Sequence, residues 1–82
     1  MGMSYDFKVD NKNRFRFERS GFFGKGDKVK CYLNGEYVDD FYLSDWVLDA
    51  LKDKNTPDYS KLSSFKADCN NWIAEYGRDL LE

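Results

Sequence analysis

Tyr5, Phe7 and Val9 alternate with Asp6 and Lys8, the two-residue period of a strand with one dry and one wet face. The polar run Asp10-Asn11-Lys12-Asn13 has the chemistry of a turn. Phe15 and Phe17 then alternate with Arg14, Arg16 and Glu18, which predicts a second strand continuing toward Phe23. Gly24-Lys25-Gly26-Asp27 marks another turn, after which Val29, Cys31 and Leu33 alternate with Lys28, Lys30 and Tyr32. Asn34-Gly35 between two alternating runs specifies a tight type I′ hairpin, because both positions of that turn need positive φ. Counting outward from the turn pairs Tyr32 with Tyr37, Cys31 with Val38 and Lys30 with Asp39. Asp39-Asp40 interrupts the alternation before Phe41, so a bulge is expected there, in a fourth strand that ends near Leu43.

Beyond Leu43 the period changes to that of a helix. Ser44 is a suitable N-cap, Asp45 suits the positive end of a helix dipole, and Trp46, Val47, Ala50 and Leu51 fall on one side. Thr56-Pro57 reads as the cap and first position of a second helix. Leu62, Phe65, Cys69, Trp72, Ile73, Tyr76 and Leu80 then form a stripe about 100° wide, with Gly77 as an early stop. The predicted fold is α+β: a four-stranded antiparallel meander followed by two helices packed on one face, in the order ββββαα. The 82 residues make one domain, 1–82. Met1-Gly2 reads as a vector-derived addition and Leu81-Glu82 as a cloning remnant.

A chain this short buries only about 60–65% of its unfolded surface. The seven Phe, two Trp and six Tyr are therefore expected mainly in the core, where each ring removes roughly 150–250 Å² from water. No apolar run is long enough for a signal peptide or a membrane span. Cys31 and Cys69 are too few for a disulfide scaffold and lack the spacing of a zinc site, so both are expected as reduced, buried hydrophobes of a cytoplasmic protein. There is no histidine, which removes Ser-His and Cys-His nucleophile pairs and the commonest general base. An enzyme would need a carboxylate pair such as Asp39/Asp40 in a cleft; none is expected, nor any cofactor or metal.

The formal charge of −2 hides a strong asymmetry. Residues 1–30 carry eight basic and four acidic side chains, whereas residues 31–82 carry five and eleven. On the first helix Asp45, Asp49 and Asp53 fall within about 80° of one another, opposite Trp46 and Ala50, with Asp39 and Asp40 just before them. Like charges at i, i+4 cost a few tenths of a kcal/mol per pair. A solvated helix face tolerates that, and so does a surface awaiting a basic partner. The expected function is a non-enzymatic protein–protein interaction through Asp39, Asp40, Asp45, Asp49 and Asp53, joined by the Phe22-Phe23 loop. In size and makeup, and in no motif, such a chain looks like phage or mobile-element proteins that occupy a basic groove of a host machine.

Ser20 to Asp27 is not a phosphate loop, because Gly21 and Gly24 are too close, no Ser or Thr follows Lys25, and a strand rather than a helix follows. The alternative function is single-stranded RNA or DNA binding on an open sheet face carrying Arg14, Arg16, Lys30, Tyr32 and Tyr37, by phosphate contact and base stacking. The expected assembly is a monomer or a homodimer joined at a sheet edge.

Overall fold

The structure is a computed structural model that describes residues 3–19 and 28–81. Four antiparallel strands are followed by helices, the expected ββββαα order of an α+β fold. The strands are β1 (Met3–Lys8), β2 (Arg14–Arg19), β3 (Lys28–Leu33) and β4 (Glu36–Tyr42), paired as a meander β1-β2-β3-β4. The helices are α1 (Asp45–Lys52) and α2 (Asp58–Trp72), the latter widening into a π turn (Ile73–Gly77) and resuming as α3 (Arg78–Leu81). The chain divides after Tyr42 into a sheet unit and a helical unit. Among the described residues no helix is long and apolar enough to cross a membrane. Phe22, Phe23 and the turn at 24–27 lie outside the described residues.

In the sheet unit, β1 and β2 are joined through the Asp10 turn. The Asp10 carboxylate accepts the Lys12 N–H at 2.7 Å and the Asn13 N–H at 2.9 Å, which holds its pKa below the usual carboxylate range. The strand ends one residue earlier than the pattern suggests, at Lys8; Val9 is exposed and its N–H bonds the Asn13 carbonyl. One face of the sheet gathers Phe15, Phe17, Val29 and Cys31, all fully buried. Rings continue that face: Phe17 lies 6.1 Å, centroid to centroid, from each of Tyr5, Phe15 and Phe41. Asn34 and Gly35 turn the chain with φ of 54° and 87°, the left-handed pair that the hairpin demands.

The register beyond this turn corrects the sequence expectation. Tyr32 does face Tyr37, but Cys31 faces Asp39 and Lys30 faces Asp40, with the shift between Cys31 and Tyr32. The extra residue is therefore Val38 and the bulge comes before Asp39-Asp40. Simple counting carried Asp39 onto the wet face. The bulge instead returns Phe41 to the buried face beside Phe17, where a ring gains most from leaving water.

The helical unit departs further from ideal periodicity. Helix α2 starts at Asp58 with Pro57 in the cap position, one residue later than the Thr56 cap predicts. Phe65, Cys69 and Trp72 are buried as expected, but Tyr76 and Leu80 are 53% and 41% exposed. The π turn explains this. It inserts one residue, so the next buried position after Trp72 is Gly77, five residues on, and the stripe rotates off Tyr76. Gly77 does not end the helix; it is a buried position inside it.

Trp46 is also corrected: it is 53% exposed, while Val47 is the buried residue of α1. Ser44 occupies the N-cap but its side chain makes no capping bond. Asp68 of α2, only 6% exposed, accepts both the Ser44 N–H at 2.7 Å and the Ser44 hydroxyl at 3.0 Å. A buried carboxylate thus fixes the entry of one helix from the middle of another.

Cys31 and Cys69 form no disulfide and are fully buried. Burial pushes the Cys31 thiol up to about 12, aided by Asp39, and the thiolate is the reactive species. Both thiols are expected to resist iodoacetamide at pH 8 in the folded protein and to alkylate once urea unfolds it. Mass spectrometry of partly alkylated protein checks this; fast native labelling of Cys31 would contradict its packing.

Candidate functional site

Two surfaces carry the candidate residues. On α1, Asp45 and Asp49 are exposed one turn apart, and Asp53 is exposed at the C-cap. Trp46 stands three residues before Asp49, so the two are neighbours on one side of the helix. An indole half open to water therefore sits among carboxylates, away from buried Val47. Sequence reasoning assigned Trp46 to the core because large rings usually belong there. The angle held the missed signal: Trp46 is about 100° from Val47 and only about 60° from Asp49 on a helical wheel.

Asp39 and Asp40 belong to the sheet unit, as neighbours on β4, and alternation sends them to opposite faces. Asp39 accepts the Asp40 N–H at 2.8 Å. Asp40 accepts the Tyr37 hydroxyl and pairs with Lys28 at 3.4 Å. The Tyr37 bond is the main cause of both resulting shifts: it depresses Asp40 and pushes the Tyr37 phenol up to about 12.

The alternative residues do share one face. Cross-strand pairing sets Asp6, Arg16, Tyr32 and Tyr37 in one row across the sheet, with Lys8 and Arg14 in the row beside it. Lys30 faces Asp40 in a further row. The five are not equivalent. Arg16 lies between Glu18 at 2.7 Å and Asp6 at 2.8 Å, and these bonds, Glu18's first, raise its pKa. Its charge is thereby neutralised locally. Arg14 and Lys30 make no ion pair among the described residues. Tyr32 and Tyr37 meet edge to face, 5.8 Å apart at 67°, and Tyr37 is 52% exposed.

A group whose folded pKa is depressed contributes stability above its unfolded pKa and loses that contribution as pH falls. Asp10 and Asp40 both behave this way, from an ordinary value of 3.8. The β1–β2 turn and the Lys28–Asp40–Tyr37 cluster are therefore expected to loosen as pH drops below about 4. Amide hydrogen exchange at Lys12 and Asn13, whose N–H groups the Asp10 carboxylate accepts, should accelerate there beyond the intrinsic pH dependence. Unchanged protection at about pH 2 would contradict those bonds.

Among the described residues no group of three or more acidic or Cys side chains is placed to hold a metal ion. No protein-family model, curated protein or solved structure matches the chain.

Proposed function

We propose that the protein is a non-catalytic binding module that docks the outer face of α1 against a basic groove of a protein partner. The observation that carries this is the 53% exposure of Trp46 beside Asp45 and Asp49. Exposing much of an indole forgoes burial that a small fold could use. Trp is also the residue type most enriched where interfaces concentrate their binding energy. The surrounding carboxylates supply what an indole cannot: attraction at a distance and selection against acidic partners.

Asp39/Asp40 does not furnish a catalytic dyad, since neighbouring strand residues diverge and Asp40 is already bonded to Tyr37 and Lys28. This is consistent with binding as the function. The proposal includes a cytoplasmic setting and the mode of a phage- or mobile-element-type modulator acting on a host machine, for which size and charge are suited. It also favours a monomer on the β4 side, where the Val38 bulge and Asp39 blunt the sheet edge.

The test compares wild-type protein with Trp46→Ala and with the triple Asp45, Asp49, Asp53→Asn variant in affinity capture from source-cell or host extract. Both variants are expected to keep a native circular dichroism spectrum, because every altered side chain is largely exposed. Both should lose the protein that the wild type recovers. Equal recovery by folded variants would overturn the proposal.

A further inference from the structure

The open face of the sheet has a feature that α1 does not explain: two adjoining concavities of different chemistry. The first, about 430 Å³, lies at the β1–β2 turn and is lined by Lys8, Lys12 and Arg14 together with Asp10 and asparagines. The second, about 290 Å³, is lined by Arg16, Glu18, Tyr32 and Gly35. Arg14 borders both. From these we infer a site for single-stranded nucleic acid, with phosphate held by Lys8, Lys12 and Arg14 and a base stacked on the Tyr32–Tyr37 pair.

Charge supports the phosphate end. Lys8, Lys12 and Arg14 make no ion pair among the described residues. Asp10 lowers the local charge, but its carboxylate is occupied by the N–H groups of its own turn. Three cations against one occupied carboxylate leave a positive cavity in a protein whose total charge is negative.

The floor of the cavity is also braced. The Arg14 N–H donates to the Asn34 side-chain oxygen at 2.9 Å, and the Asn34 amide donates to the Asn13 side chain at 3.1 Å. Asn34 further gives its N–H to the Arg14 carbonyl at 2.9 Å. The hairpin turn is thereby stitched to the start of β2, so the cations stand on a fixed base and little order must be gained on binding.

Chemistry at the other end chooses the occupant. Tyr32 lies one strand over from Arg16 and faces Tyr37, which is 52% exposed. Stacking needs an unpaired base, which a strand presents and a duplex keeps inside. An acidic peptide would satisfy the cations and leave the tyrosines without a role. Arg16, held by Asp6 and Glu18, shapes the passage between the two ends and adds little net charge.

Three phosphate-facing cations set the expected salt dependence. For single strands the slope of log affinity against log salt is about −0.7 per contact, so affinity should fall roughly 20-fold between 50 and 200 mM salt. The experiment is fluorescence anisotropy of the whole chain with labelled oligo-dT and oligo-rU, each about twelve nucleotides long. Lys8→Ala with Lys12→Ala should flatten the salt slope to roughly a third. Tyr37→Ala should weaken binding by about 5- to 150-fold with the slope unchanged, and its exposure makes loss of fold unexpected.

No binding at 50 mM salt would overturn the site. Equal affinity for a matched duplex would do the same, as would a Tyr37→Ala variant that binds like wild type. The α1 variants described above should bind the oligonucleotides normally. Their failure to do so, with fold intact, would remove the site from the sheet face while leaving the protein-docking proposal standing.

Discussion

Phe17→Ala is expected to cost roughly 3–5 kcal/mol, the range for truncating a buried ring. A chain of this length has a total stability of only about 4–12 kcal/mol. The substitution therefore removes from about a quarter to all of that stability. Phe17 is fully buried on the interior strand β2, with the rings of Tyr5, Phe15 and Phe41 all 6.1 Å away. Those neighbours belong to three different strands, so no single side chain can move in to fill the gap. Urea denaturation followed by circular dichroism reads the effect as a fall in midpoint at unchanged slope, or as loss of a cooperative transition. Phe17→Leu keeps most of the volume and should cost less than half as much. A Phe17→Ala protein within 1 kcal/mol of wild type would mean that the aromatic face does not hold the sheet unit.

Asp68→Ala is the second. It deletes the acceptor of both Ser44 bonds, and hydrogen bonds to a charged group contribute about 1.5–3 kcal/mol. A loss of roughly 2–3 kcal/mol is expected, which lowers Tm by about 10–20 °C in a domain of this size. Ser44→Ala removes only the hydroxyl donor and leaves the N–H bond to Asp68 in place, so it should cost about 1 kcal/mol. The double variant should fall short of the sum, because Asp68→Ala has already removed what Ser44 can give. Differential scanning calorimetry of the four proteins measures this. Strict additivity, or an Asp68→Ala variant as stable as wild type, would contradict the link between α2 and the start of α1.

Local chemistry made the sheet legible in the sequence. Asn34-Gly35 can supply two left-handed residues where most others cannot, and the alternation in β1 to β3 follows directly from one buried face. Legibility failed where a residue was inserted. The Val38 bulge moved Asp39 and Asp40 to the opposite faces from those counted, and the π turn at Ile73–Gly77 rotated Tyr76 and Leu80 into water. In both cases a fixed period was carried past an irregularity that leaves no mark in the period itself.

Asp68 was invisible for a different reason. Its partner is 24 residues away in the chain, so no local pattern announces it. The candidate site was legible in part. Asp45, Asp49 and Asp53 are exposed as their spacing indicates, and Arg14, Arg16, Lys30, Tyr32 and Tyr37 do share a face. The sequence could not tell that Glu18 and Asp6 would neutralise Arg16, nor that Lys8 and Lys12 would join Arg14. Trp46 was misassigned because composition argues that rings go inside, and here the helix angle outweighed composition.

The central claim is that the exposed side of α1 meets the partner through Trp46. Its most direct test is tryptophan fluorescence of the Trp72→Phe protein, in which Trp46 is the sole indole, titrated with the recovered partner and probed with acrylamide. Protection of Trp46 from quenching on binding, abolished by the Asp45, Asp49, Asp53→Asn changes, is the expected result. Saturated binding that leaves Trp46 as open to acrylamide as in the free protein would contradict the account.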